Sequence, residues 1–336
     1  MRKRLQIVVG ICFLVAGVCY FLYPNFREWR TQQEVNTIIE EFEDNRDQAI
    51  TSAEDTSSKS DDDTSETESK QESSSKRENT EVLKQTVMPD LYNALEQYNQ
   101  DLIASGQQIL DSWSYEQSPI DVKLLNNGSS VIGYIEAPDM DVKLPLYLGA
   151  SSENLSKGAA VLTQTSMPIG GTSTNCVISG HRGYNGSAFF QHIEKMRVGS
   201  MVYITNPWET LTYQVVSTKI VTPSQVEDVM IQTGKDMVTL VSCHPYVVGG
   251  GPERYLVFCE RVELDETSDT NTEMVTESQS ESNQETTETM SSESVQIEYV
   301  EENNLQKCEA LLRFLAPMGV VLIVCFILFI QYSKKM

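Results

Sequence analysis

Two apolar runs without a single charge bracket the chain: LQIVVGICFLVAGVCYFLY from Leu5 to Tyr23, and FLAPMGVVLIVCFILFIQY from Phe314 to Tyr332. About 20 apolar residues cross the hydrocarbon core of a bilayer, so each run predicts a transmembrane helix. The first is longer than the apolar region of a cleaved leader. The YPNFREW behind it offers no small-residue cleavage site, which favours an uncleaved anchor. Arg2, Lys3 and Arg4 precede the first run, and Lys334 and Lys335 follow the second. Basic flanks stay inside, so both termini are expected in the cytoplasm and everything between them outside the cell membrane.

Between these runs the periodicity changes twice. Val35, Ile38, Ile39 and Phe42 recur at helical spacing, as do Leu91, Leu95, Tyr98 and Leu102, with Gly106 as a stop. They predict two amphipathic helices packing on the domain that follows. From Val131 the pattern turns to short β-rich runs: VIGYIEA, VKLPLYL, AAVLTQ, CVISGH, MVYITN, ETLTYQVVSTKIVT, MVTLVSC and RYLVFCERV. Pro145 suits the second run to an edge or a bulge. One helix, AFFQHIEKMR from Ala188 to Arg197, is expected among them. About eight short strands with few helices predict a mainly β fold, a closed barrel, because closure removes exposed edges.

The net charge of −23 comes largely from two tracts rich in Ser, Thr and Glu. One runs from Ser52 to Asn79; the other, from Val262 to Gln306, contains no Lys or Arg. Neither holds enough apolar surface to offset the entropy of ordering it, so both are expected to be disordered spacers. No basic stripe offers itself to nucleic acid. The expected organisation is an anchor over 1–24, an amphipathic helix over 25–51 and an acidic insertion over 52–79. A helical segment over 80–130, the barrel over 131–263, an acidic linker over 264–307 and a second span with a basic tail over 308–336 complete it.

Of seven cysteines, only Cys176, Cys243 and Cys259 belong to the external region, an odd number that leaves at least one thiol outside any internal disulfide. No paired spacing indicates structural zinc. His181 closes NCVISGH, Cys243 closes MVTLVSC, and Arg254 opens RYLVFCER. Each alone is compatible with a structural role, but together they are the parts of acyl transfer through a thioester. A thiolate attacks, an imidazole takes and returns the proton, and a guanidinium holds the oxyanion or the substrate carbonyls. His244 adjoins the cysteine, yet neighbouring strand residues point to opposite faces, which favours His181 as the base. His192 falls on the expected helix and reads as structural.

The TSMPIGG, ISGHRG and TLVSC stretches, followed by RYLVFCER, match sortases in order and spacing. From Val131 to Val262 the chain resembles class C in particular, the pilin polymerases of Gram-positive bacteria. The resemblance implies a sortase-type eight-stranded β-barrel with N-terminal helices, flanked by the two transmembrane helices. It makes Cys243 the nucleophile, His181 the general acid/base and Arg254 the oxyanion or positioning residue. Its substrates are LPXTG-bearing pilin or surface proteins, and the acceptor is a lysine of a pilin subunit; no metal or organic cofactor is implied. The alternatives are a wall-anchoring sortase using a peptidoglycan amine, or a hydrolytic cysteine protease. The family often carries an Asp-Pro-aromatic lid, and here Asp111-Ser112-Trp113 stands in that place, with Asp111 facing Arg254 and Trp113 covering Cys243 if it closes. His244 replaces the usual threonine, and VVGGGPER is glycine-rich where a polar loop is common.

Overall fold

The computed structural model describes residues 2–57, 72–107, 120–125, 130–184, 187–247 and 250–262. Each of the eight expected β-runs forms a strand. In chain order the strands are β1 (Val131–Ala137), β2 (Val142–Leu148), β3 (Ala159–Val161), β4 (Thr174–Ser179), β5 (Arg182–Tyr184) and β6 (Ser187–Phe189). They continue as β7 (Met201–Thr205), β8 (Thr210–Val221), β9 (Asp236–His244) and β10 (Glu253–Arg261). Eight of them close into a barrel in the order β1-β2-β3-β4-β9-β10-β8-β7, while β5 and β6 form a separate ribbon. All barrel pairs are antiparallel except β2–β3 and β4–β9.

β4, β9 and β10 are buried on both faces. Ile178, Leu240 and Val257 belong to the main core, and their chain neighbours Val177, Val241 and Leu256 to a second apolar cluster. Leu155, from the short helix Ser152–Leu155, and Val229, from the β8–β9 connection, cover that second layer. Two-sided burial is why these strands read as nearly continuous apolar runs rather than alternating ones. Pro145 lies where β2 has a neighbour on the β1 side alone, a local edge. It pairs with Tyr134 of β1, while the β2–β3 register begins one residue later, at Leu146↔Ala159, where a missing N–H does no harm.

Three helices precede the barrel: α1 (Arg2–Ser57), α2 (Glu72–Thr86) and α3 (Pro89–Ser105). The expected anchor and first amphipathic helix are thus one continuous element. Val35 and Ile39 of α1, with Leu91 and Leu95 of α3, are buried in the main core, and full burial of each such side chain stabilises by about 1.5–3 kcal/mol. Gly106 ends α3 with φ 75°, a left-handed conformation that a side chain resists. α1 and α2 extend into the acidic tract from both ends, to Ser57 and from Glu72, since prolonging a helix costs less than starting one. The remainder of that tract, the acidic linker and the C-terminal apolar run lie outside the described residues. Among the described residues, no helix is long and apolar enough to cross a membrane.

The helix expected over Ala188–Arg197 is absent. Ser187–Phe189 is strand β6, and only Ile193–Lys195 makes a single 3-10 turn, with His192 just before it. Phe190, Ile193 and Met196 are buried at a spacing of three, the period of a 3-10 turn, which an α-helical stripe shares over so short a stretch.

Candidate active site

β4 and β9 run parallel and end together. Ser179 pairs with Val241, the Gly180 N–H donates to the Val241 carbonyl at 3.1 Å, and Ser242 Oγ donates to the Gly180 carbonyl at 2.7 Å. This register brings His181, the next residue, beside Cys243 at the end of β9. Across the other edge of β9, Cys243 pairs directly with Arg254 of β10. The three residues singled out in the sequence therefore lie just past the end of β4, on β9 and on β10, and share one rim, each half-buried. Arg254 Nη1 donates to the carbonyls of Gly251 at 3.1 Å and Glu253 at 2.9 Å, which ties the guanidinium to the loop before it.

The barrel's three thiols are not equivalent. Cys176 and Cys259 sit inside strands, and burial pushes both far above the ordinary thiol value, so neither forms a thiolate. Cys243 is the half-buried one of the three. Burial lowers His181 below the ordinary imidazole value of 6.5, which leaves the ring neutral at pH 7 and able to accept a proton. β9 continues through His244, whose Nδ1 lies 3.2 Å from Arg182 Nη1 and 4.0 Å from Glu194 Oε1. That ring is engaged with Arg182.

Residues 135–262 match the family model for the sortase domain. Sortase D of Bacillus subtilis is 28% identical over 131 residues, covering 39% of this chain and 63% of that protein, so the match stops short of two thirds of its length. Sortase A of Staphylococcus aureus is 31% identical over 155 residues, covering 45% of this chain and 71% of that protein. The chain belongs to the sortase family. Among solved structures, sortase C of Clostridium perfringens with the C-terminal cell wall sorting motif is 35% identical. It covers 57% of this chain and 97% of its own, with a TM-score of 0.45.

Within this sortase barrel one glycine of the stretch after the cysteine, Gly251, has a local cause. A Cβ on Gly251 would stand 2.1 Å from the His244 carbonyl oxygen and 2.5 Å from that of Pro245. The close approach is therefore to the chain's own backbone. Asp111, Ser112 and Trp113 lie outside the described residues, but the segment's entry is fixed. The Gln107 side chain donates to the Gln164 carbonyl at 2.8 Å and accepts from the Ile231 N–H at 2.8 Å. α3 also holds the TSMPIGG loop, where Asn99 Oδ1 accepts from the Met167 N–H at 2.7 Å. Sequence reasoning missed Arg182 and Glu194, a buried ion pair beside Cys243. The available signal was a pair of opposite charges, Arg182 in GHRG and Glu194 in FFQHIEKM, each close to an apolar or glycine-bounded stretch.

Proposed function

We propose that this sortase is a class C transpeptidase that joins pilin subunits at the outer face of the cell membrane. The observation that supports this reading best is the strand register joining His181, Cys243 and Arg254 at one rim. Cys243 Sγ, its proton passed to His181, attacks the threonine carbonyl of an LPXTG-like signal, and Arg254 stabilises the oxyanion. The threonine–glycine bond breaks, His181 returns its proton to the departing amine, and a thioester remains on Cys243. A neutral lysine amine of the next pilin then attacks that thioester, His181 takes the proton, and an isopeptide bond forms as the thiolate leaves. In this reading Asp111 and Trp113 belong to a lid, and the two terminal apolar runs hold both ends in the membrane with the barrel outside.

The test incubates the full chain in detergent with an LPXTG peptide and a lysine-bearing acceptor peptide, read by mass spectrometry, with Cys243→Ala as control. A joined product that requires Cys243 is expected. Cysteine-dependent cleavage with no joined product, across lysine and peptidoglycan-type amines, would refute transpeptidation.

A further inference from the structure

β4 leaves the sheet one residue too early for its neighbour. In a parallel ladder every second residue donates its N–H to the next strand. After Gly180 N–H to the Val241 carbonyl, the next donor in line is the Arg182 N–H, and its acceptor is the carbonyl of Cys243. The chain instead turns away at His181 into the β5–β6 ribbon. The Cys243 carbonyl still receives a donor, because the Arg182 side chain reaches back and its Nη1 donates to that oxygen at 3.0 Å. The guanidinium of Arg182 takes the place its own backbone N–H vacated.

The arginine is held from every side. Its side chain is 3% exposed and pairs with Glu194, which is 13% exposed on the turn anchored by buried Ile193 and Met196. Its Nε donates to the Gln191 carbonyl at 3.3 Å. Burial pulls the guanidinium down to about 10, which still leaves it charged at neutral pH. Since arginine has only donors, His244 Nδ1 is the acceptor at 3.2 Å and the ring carries its proton on Nε2. One planar fork therefore links the segment after His181, the turn bearing Glu194 and the peptide plane that orients Cys243. Lysine has no such fork.

We propose that Arg182 is the positioning residue of this site: clamped by Glu194, it fixes the nucleophile's end of β9 against the turn that presents His181. The proposal rests on Cys243 and His181 acting as the reacting pair. Displacing a nucleophile by a fraction of its reach costs one to two orders of magnitude in rate.

The experiment uses the full chain in detergent and two variants. Arg182→Met alone strands Glu194 as a buried charge, so Arg182→Met/Glu194→Gln removes both. Arg182→Lys keeps the ion pair and loses the fork. With the LPXTG peptide and lysine acceptor, kcat is expected to fall at least about tenfold in both, with KM within about twofold and melting of Arg182→Lys within a few degrees of wild type. A kcat within twofold of wild type in a folded variant overturns the proposal, as does a kcat that falls only in step with the melting temperature. Alkylation of Cys243 by iodoacetamide needs no sorting peptide and is measured in parallel. If wild type transfers nothing, the proposed function fails on its own. A slowed alkylation in Arg182→Lys still supports positioning, and an unchanged one overturns it.

Discussion

Replacing Asn175 with alanine should unfasten the β8–β9 connection from the outer face of the barrel. Asn175 is completely buried on β4. Its Nδ2 donates to the Val229 carbonyl at 3.1 Å and reaches that of Met230 at 3.4 Å, while its Oδ1 accepts from Thr239 Oγ1 at 2.9 Å. The two shorter bonds contribute about 1 kcal/mol each, and a dry Val229 carbonyl left without a donor adds a further penalty of about 1–3 kcal/mol. The sum is about 3–5 kcal/mol. For a domain of this size about 3 °C of melting temperature goes with each kcal/mol, so a drop of about 9–15 °C is expected. Thr239→Val removes one bond and strands the buried Asn175 Oδ1 but leaves Nδ2 in place, about 2–4 kcal/mol and a drop of about 6–12 °C, smaller than that of Asn175→Ala. Differential scanning of the detergent-solubilised full chain measures both, and limited proteolysis between Val221 and Asp236 reports release of the connection. If Asn175→Ala melts no lower than Thr239→Val, the amide is not the fastening.

Two more expectations concern the helix dock and the pH response. Trp208 Nε1 donates to the Val87 carbonyl at 2.6 Å and its ring meets Tyr92 edge-on at 5.0 Å, joining the β7–β8 turn to α2 and α3. Trp208→Phe strands that carbonyl and should cost about 2 kcal/mol, a fall of about 6 °C, whereas an unchanged melting temperature means that water replaces the indole. His181 and His244 are both held below 6.5, first by burial and, for His244, also by Arg182, against an opposing pull from Glu253. Below 6.5 the unfolded chain therefore binds more protons than the folded one. The stability of neutral histidines is fully present above that value and is lost as pH falls toward the folded values. Transfer should fall over the same acidic window, and His181→Gln should remove its share of the stability loss in a denaturant series run from pH 7.5 to 5.

The barrel was legible because its strands are short and bounded by glycine and turn residues, and because β4, β9 and β10 are apolar on both faces. What escaped was polar. Asn175 looks like an interruption in TNCVISG until the connection that it fastens is in place, and nothing local says that a segment from residue 229 will cover it. Arg182 and Glu194 escaped for the same reason, since their pairing depends on β4 breaking away at His181. The helix over Ala188–Arg197 failed because three buried residues at a spacing of three satisfy two helical periods equally.

The cysteines carry the site's logic furthest. Three thiols stand on barrel strands, and what separates them is position along the strand. Cys176 and Cys259 lie within β4 and β10, where neighbouring strands and the main core close over the sulfur. Cys243 lies one residue from the end of β9, where β4 has already departed. A strand end gives a thiol access but leaves its backbone carbonyl without a ladder partner, and a loose peptide plane would let the thiol drift. The same departure that turns His181 toward the rim therefore creates a need that Arg182, the residue after it, meets. His244 adds an acceptor to this grip, since its Nδ1 accepts from the same Arg182 Nη1 at 3.2 Å.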